Sequence, residues 1–230
     1  MTRDPGKTKE KLLDTAIQLV WQSNYDSVGV NEICARAGVT KGAFYHHFES
    51  KADLYVAASR HYWEALKKEL DAIYSPSFTG LENLENLIQF VIARQGGQGL
   101  PDVAPSGTCQ SNTGGSGEIV GCPFFTCGGQ VGVGEEKVRQ ASIEMAENGL
   151  RYYVALVRDL KADGVLNGDP DPVLVGRLLF QQMQGLLIYA RVMNNADALE
   201  TDLRAAFYRL LDLKPKHWRM PADIQSSAAD

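Results

Sequence analysis

Three cysteines carry the most reactive chemistry in this 230-residue chain. Cys109, Cys122 and Cys127 fall within 19 residues, inside a stretch, 96–134, that also holds 12 of the 22 glycines. In a reducing compartment such thiols stay reduced unless they bind a metal or sense redox state. Three sulfurs with no histidine nearby suit a soft ion in a trigonal or tetrahedral site: arsenic, mercury, copper or zinc. The four histidines, His46, His47, His61 and His217, all lie elsewhere, and Glu118 is the nearest candidate for a fourth zinc ligand. On a helix, Cys122 and Cys127 would point about 140° apart, so their sulfurs converge only if the segment is non-helical. Gly128-Gly129 permits that. A second chemistry uses Cys122 alone. It precedes Pro123, a favoured first helical residue, and a helix N-terminus lowers a thiol pKa. Cys122 would then react with oxidants or electrophiles, with Cys109 or Cys127 resolving it as a disulfide. A third reading makes the cysteines incidental and places an organic effector in an apolar pocket lined by residues such as Phe90, Phe124, Phe125, Tyr152 and Tyr189. Cys34 sits on the apolar face of its own helix and is read as a small core residue.

A second cluster lies near the N-terminus. Thr40-Lys41-Gly42-Ala43-Phe44-Tyr45-His46-His47-Phe48 follows the turn Gly38-Val39. Phe44 and Phe48 lie four apart and face a core, which turns Lys41, Tyr45 and His46 outward. A helix entering the DNA major groove needs small residues for close approach and donors for phosphates and base edges. Gly42 and Ala43 supply the first, and Thr40, Lys41, Tyr45 and His46 the second. Lys51 can reach a phosphate from the start of the next helix.

The elements that must position these residues are all helices. Apolar residues at helical spacing predict a helix over 7–23, a short one around Val30–Ala37 capped by Ser27, and a third from Thr40 to His47. Further helices are expected from Ser50 to Pro76, with Asp53 completing a capping pair, then over 81–94, 135–161, 172–194 and 197–211. Ala104 to Val120 reads as a long polar loop, and the tail after Pro215 as loose. No strand pattern or internal repeat is present, so the fold class is all-α. The expected organisation is a three-helix domain with a helix-turn-helix at 1–51, a helical effector-binding and dimerisation domain at 52–214 with the Gly/Cys-rich insert at 96–134, and a tail at 215–230. The last two long helices are apolar on more than one side, a surplus that fits a dimer face.

Bulk composition sets limits. Hydrophobic residues at 44% and charged residues at 22% are globular values. No run of about 18 apolar residues marks a membrane span, and the polar start, Met1 to Lys11, has no signal-peptide core, so the expected location is cytoplasmic. The net charge is −5. Residues 1–51 carry seven basic and six acidic side chains, so a nucleic-acid role must rest on a local patch. No Gly-x-Ser-x-Gly, His-Glu-x-x-His or Cys-x-x-Cys pattern points to an enzyme.

The run from Gly38 to Leu54 closely resembles the DNA-binding signature of the TetR family of transcriptional regulators. The likeness covers about the first quarter of the chain, and the length and helical remainder fit. It implies a homodimer, in most members a repressor, bound to palindromic double-stranded DNA and released by a small effector that changes the spacing of the recognition helices. By position it implies DNA contacts from Thr40, Lys41, Gly42, Tyr45, His46 and Lys51, with Asn31 from the preceding helix. Gly121-Cys122-Pro123-Phe124-Phe125 resembles a glycine-cysteine turn that opens a helix in one branch of the family. The favoured effector is a thiophilic metal or metalloid ion held by the cysteines. The alternatives are an oxidant or electrophile, or an organic ligand. Outside the regulators, the remaining reading is a helical interaction protein.

Overall fold

The computed structural model describes residues 5–22, 25–95, 123–132 and 135–219. Cys109, Cys122, Glu118 and the polar loop 104–120 lie outside the described residues. Among those described, nine α-helices follow one another: α1 (Pro5–Gln22), α2 (Val30–Ala37), α3 (Lys41–His47), α4 (Lys51–Ile73), α5 (Gly80–Gln95), α6 (Pro123–Gln130), α7 (Glu136–Ala162), α8 (Pro172–Met193) and α9 (Leu199–Leu210). A single antiparallel bridge joins Leu166 to Leu213. The all-α expectation holds.

The chain divides into two compact units, one of residues 1–68 with 122–147, the other of 69–121 with 148–230. The first unit is therefore larger than the 1–51 domain expected from the motif. It takes in α6 and the first half of α7 as well as the helix-turn-helix.

In the first unit, Leu12, Leu13, Ala16 and Ile17 of α1 bury one helical face, and Ile33, Cys34 and Ala37 of α2 bury theirs. Leu54, Tyr55 and Ala58 of α4 complete the core with Cys127, Val138 and Ala141. The helix ends follow local chemistry. Gly29, with no side-chain bond, caps α2 where Ser27 was expected. Ser50 and Asp53 cap α4, the Ser50 hydroxyl donating to Asp53 at 2.7 Å and accepting the Asp53 N–H at 3.1 Å. α6 is helical through both Gly128 and Gly129. A Cβ at position 128 would lie 2.6 Å from the Ser142 Cβ, so this close approach of α6 to α7 admits only glycine.

In the second unit, Leu84, Leu87 and Ile88 of α5 are buried, as are Leu156, Val157 and Leu160 of α7. Leu179 and Phe180 of α8 and Leu203 and Phe207 of α9 complete this core. Thr79 and Glu82 form a reciprocal capping box at the start of α5, with bonds of 2.8 and 3.3 Å. The Gly80 N–H donates to Asp163 at 2.8 Å, and a Cβ there would meet the Leu160 backbone at 2.9 Å. Arg204, buried on α9, makes a bidentate pair with Glu85 of α5 at 2.5 Å per bond and a further bond to Glu200 at 3.0 Å. That geometry holds α5 against α9 and satisfies a charge that would otherwise be costly to bury. Residues 215–219 are more ordered than the loose tail expected. Pro215–His217 form a 3-10 turn, and the Trp218 indole donates to the Leu213 carbonyl at 2.8 Å.

α8 carries the surplus of apolar residues. Val175, Leu179, Met183 and Leu187 face inward, while Leu178, Ile188, Tyr189, Val192 and Met193 are exposed. On α9 the large apolar residues Leu199, Leu203, Phe207 and Tyr208 are buried and Leu210 is half-buried, so it exposes no comparable face. No helix among the described residues is long and apolar enough to cross a membrane.

Candidate nucleic-acid interface

The turn between α2 and α3 is set by Gly38. Its φ of 66° lies in the left-handed region, and the chain closes with Val39 N–H to Cys34 O at 3.0 Å. That bond satisfies a C-terminal carbonyl of α2 while the chain reverses into α3. Thr40 then caps α3, its hydroxyl accepting the Ala43 N–H at 3.2 Å. This cap consumes the Thr40 hydroxyl as an acceptor and leaves its proton for a phosphate.

α3 is pinned from one side. Phe44 is fully buried and Phe48 nearly so. Their rings lie 6.0 Å apart, and Phe44 meets Tyr45 edge-on at 5.1 Å. The opposite side is open. Lys41, Gly42, Tyr45 and His46 are exposed, as is Asn31 on α2, while His47 is half-buried. A Cβ at Gly42 would meet only the Thr40 hydroxyl, at an ordinary 3.9 Å. Nothing inside the chain demands glycine there. A helix face of donors around a bare backbone is what close approach to a duplex requires. The structure thus brings Thr40, Lys41, Gly42, Tyr45 and His46 together on one surface.

Lys51 differs from the rest. Its ammonium donates to the Tyr25 carbonyl at 2.8 Å and lies 4.0 Å from the centre of the Tyr25 ring. Those contacts hold the side chain in place and leave a third N–H for a phosphate. Tyr25 was not singled out in the sequence, because a partner 26 residues away leaves no local signal. Its ring meets Tyr55 edge-on at 5.5 Å, and its hydroxyl faces Glu135 at a long 3.5 Å. Burial and the Glu135 carboxylate push the Tyr25 hydroxyl far above its usual range.

The first half of α7 supports α4 directly. Lys137 pairs with Asp53 at 2.7 Å, and the Tyr55 and Ser142 hydroxyls are 3.1 Å apart. Hydrogen bonds from Lys137 and then Ser50 hold the Asp53 carboxyl below its ordinary range.

Of Cys109, Cys122 and Cys127, only Cys127 lies among the described residues. It is buried on α6. Burial pushes its thiol up, so it is protonated and unreactive near neutral pH. Residues 123–130 are helical, and Cys122 lies outside the described residues. No cluster of three or more metal-ligating side chains occurs among the described residues. Cys34 is buried in the core as expected, and burial raises its thiol too.

Known proteins share this architecture. The signature of the bacterial regulatory proteins of the tetR family matches residues 12–58. The transcriptional regulator AcuR of Cereibacter sphaeroides is 26% identical over 87% of this chain and 84% of its own length. The repressor NemR of Escherichia coli is 26% identical over 85% of this chain and 90% of its own. The crystal structure of NemR in its reduced form superposes with a TM-score of 0.70, covering 94% of this chain and 98% of that one at 21% identity. A regulatory protein TetR from Rhodobacter sphaeroides superposes with the same score at 25% identity, over 86% and 96% of the two chains. With the α2–α3 motif and the helical remainder both in view, this chain is similar to the DNA-binding transcriptional regulators of the tetR family, whose signature residues 12–58 carry.

Proposed function

We propose that the protein is a homodimeric repressor whose α3 helices read two half-sites of a palindromic operator, and that chemistry at the cysteines of the 96–134 stretch releases it. Thr40, Lys41, Gly42, Tyr45, His46 and Lys51 make the DNA contacts, with Asn31 beside them. The observation that carries the DNA reading is the open face of α3, built of donors around an unfilled Gly42. The dimer rests on α8, whose outer face exposes Leu178, Ile188, Tyr189, Val192 and Met193 in a row that a second copy would cover. Leu178→Glu converts the dimer to monomer in sedimentation and weakens operator binding. A variant that stays dimeric removes α8 from the interface.

For the effector, α6 starting at Pro123 favours the reactive-thiol reading. It makes Cys122 the neighbour of a helix N-terminus, where a thiolate is stabilised. Cys109 is then the resolving thiol, because Cys127 is buried and protonated. The relative NemR has been solved in a reduced form. The soft-ion reading places arsenic, mercury, copper or zinc on Cys109, Cys122 and Cys127. One experiment separates them. Operator release is followed with peroxide, N-ethylmaleimide, arsenite, mercury(II) and copper(I), in wild type and in Cys109→Ser, Cys122→Ser and Cys127→Ser. Release by peroxide and N-ethylmaleimide that is lost in Cys122→Ser supports the thiol sensor. Release by ions that requires all three cysteines supports the metal sensor. A wild type indifferent to every reagent sinks both.

A further inference from the structure

α6 is the segment of the Gly/Cys-rich stretch that the structure describes, and it is built into the same compact unit as the DNA-reading helix. A continuous set of contacts runs from it to Lys51. Gly128 of α6 packs directly against Ser142 of α7, whose hydroxyl lies 3.1 Å from that of Tyr55, and the Cys127 thiol is buried in the same core. The Tyr55 ring stacks edge-on against Tyr25 at 5.5 Å. Tyr25 in turn holds the Lys51 ammonium by its carbonyl at 2.8 Å and by its ring at 4.0 Å. Tyr55, Tyr25 and Cys127 are each at most 3% exposed, so none can move without displacing a neighbour.

The same place holds spare room. A partly open cleft of about 20 Å³, walled by apolar atoms, lies among Ile17, Tyr25, Ile33, Lys51, Leu54 and Tyr55. That is space for roughly one water-sized sphere. Packed cores respond in steps between alternative packings, and a cleft beside two edge-on rings supplies room for a second arrangement.

We propose that Tyr55 is the positioning residue through which the seating of α6 sets the placement of Lys51, and with it the DNA affinity of α3. Its hydroxyl registers whether α6 is docked against α7, and its ring passes that state to Tyr25. The proposal rests on the DNA reading and adds the route by which an event in the Gly/Cys-rich stretch reaches the operator. Coupling of this kind is reciprocal, so DNA must tighten α6 by the same factor that α6 tightens DNA.

The test uses the full chain, an operator duplex selected in vitro from random sequence, and amide hydrogen exchange read on peptides covering α3 and α6. Operator binding slows exchange in α6 of the wild type, although α6 carries none of the proposed DNA contacts. Tyr55→Phe removes one hydroxyl and keeps the ring. It weakens operator binding about fivefold, the scale of one ordinary hydrogen bond. It also abolishes the effect of DNA on α6 while leaving DNA protection of α3 intact. A purely structural tyrosine would lower protection of α6 equally with and without DNA. Operator binding with α6 exchange indifferent to DNA overturns the coupling and leaves the DNA reading standing. DNA-dependent protection of α6 that survives Tyr55→Phe removes Tyr55 from the route. A folded wild type that selects no duplex overturns the DNA reading itself.

Discussion

Gly128 and its neighbour Gly129 set two effects of opposite sign against each other. Both lie in α6, where helix propensity alone makes alanine better than glycine by up to about 1 kcal/mol. Position 129 has nothing within 4 Å of a new Cβ, so Gly129→Ala stabilises by about 0.5–1 kcal/mol. Position 128 faces α7. A Cβ there would lie 2.6 Å from the Ser142 Cβ and 2.9 Å from its hydroxyl. Carbon atoms prefer about 3.5–4.0 Å, and the near atom is attached directly to the α7 backbone, so a rotamer change cannot relieve the contact. Forcing a methyl into such a site costs about 1–3 kcal/mol, which outweighs the propensity gain. Gly128→Ala is therefore expected to destabilise by up to about 2 kcal/mol, the difference of these two terms. Urea denaturation followed by far-ultraviolet circular dichroism measures both variants. In a Ser142→Gly background the obstructing Cβ is gone, and Gly128→Ala changes sign to stabilising. Equal stabilisation by the two alanines, or a loss at 128 that persists in the Ser142→Gly background, would refute the close approach of α6 and α7.

Two further outcomes test the reading elsewhere. Lys41→Ala removes one phosphate contact per subunit, so the slope of log affinity against log salt becomes shallower by about 1.8 for a dimer, measured by fluorescence anisotropy over a sodium chloride series; an unchanged slope takes Lys41 off the phosphate backbone. The second concerns Glu85, whose carboxyl is held below the usual range, first by its bonds from Arg204. A depressed carboxylate contributes stability above its unfolded pKa and loses it as the pH falls through the folded one. Wild type therefore loses stability on acidification, while Glu85→Gln starts less stable at neutral pH and loses less of it. Parallel acid curves for the two proteins would remove the Arg204–Glu85 pair as a source of acid sensitivity.

Much of this was written locally in the chain. Phe44 and Phe48 at a spacing of four, Gly38 before Thr40, and Ser50 before Asp53 are all short-range signals, and each does in the fold what its spacing implies. The capping box Thr79–Glu82 has an equally local signature and passed unread. Ser27 yielded the cap of α2 to Gly29, because the extended backbone at 29 already starts the helix without a side-chain bond. What sequence distance hid were contacts between remote residues. Lys51 leans on Tyr25, Tyr55 on Ser142 eighty-seven residues on, and Arg204 on Glu85. Gly128 misled most. Read along the chain it weakens a helix, but read across to Ser142 it is what lets that helix dock.

Gly42 offers a handle of a different kind. Because the chain leaves the space above it vacant and the helix would gain from a side chain, the fold places no constraint on this position. A library varied at 42 and sorted for folded protein alone would keep nearly every member. The same library sorted on DNA would keep only those whose side chain fits the duplex. Position 42 is where operator preference can be retuned without spending stability.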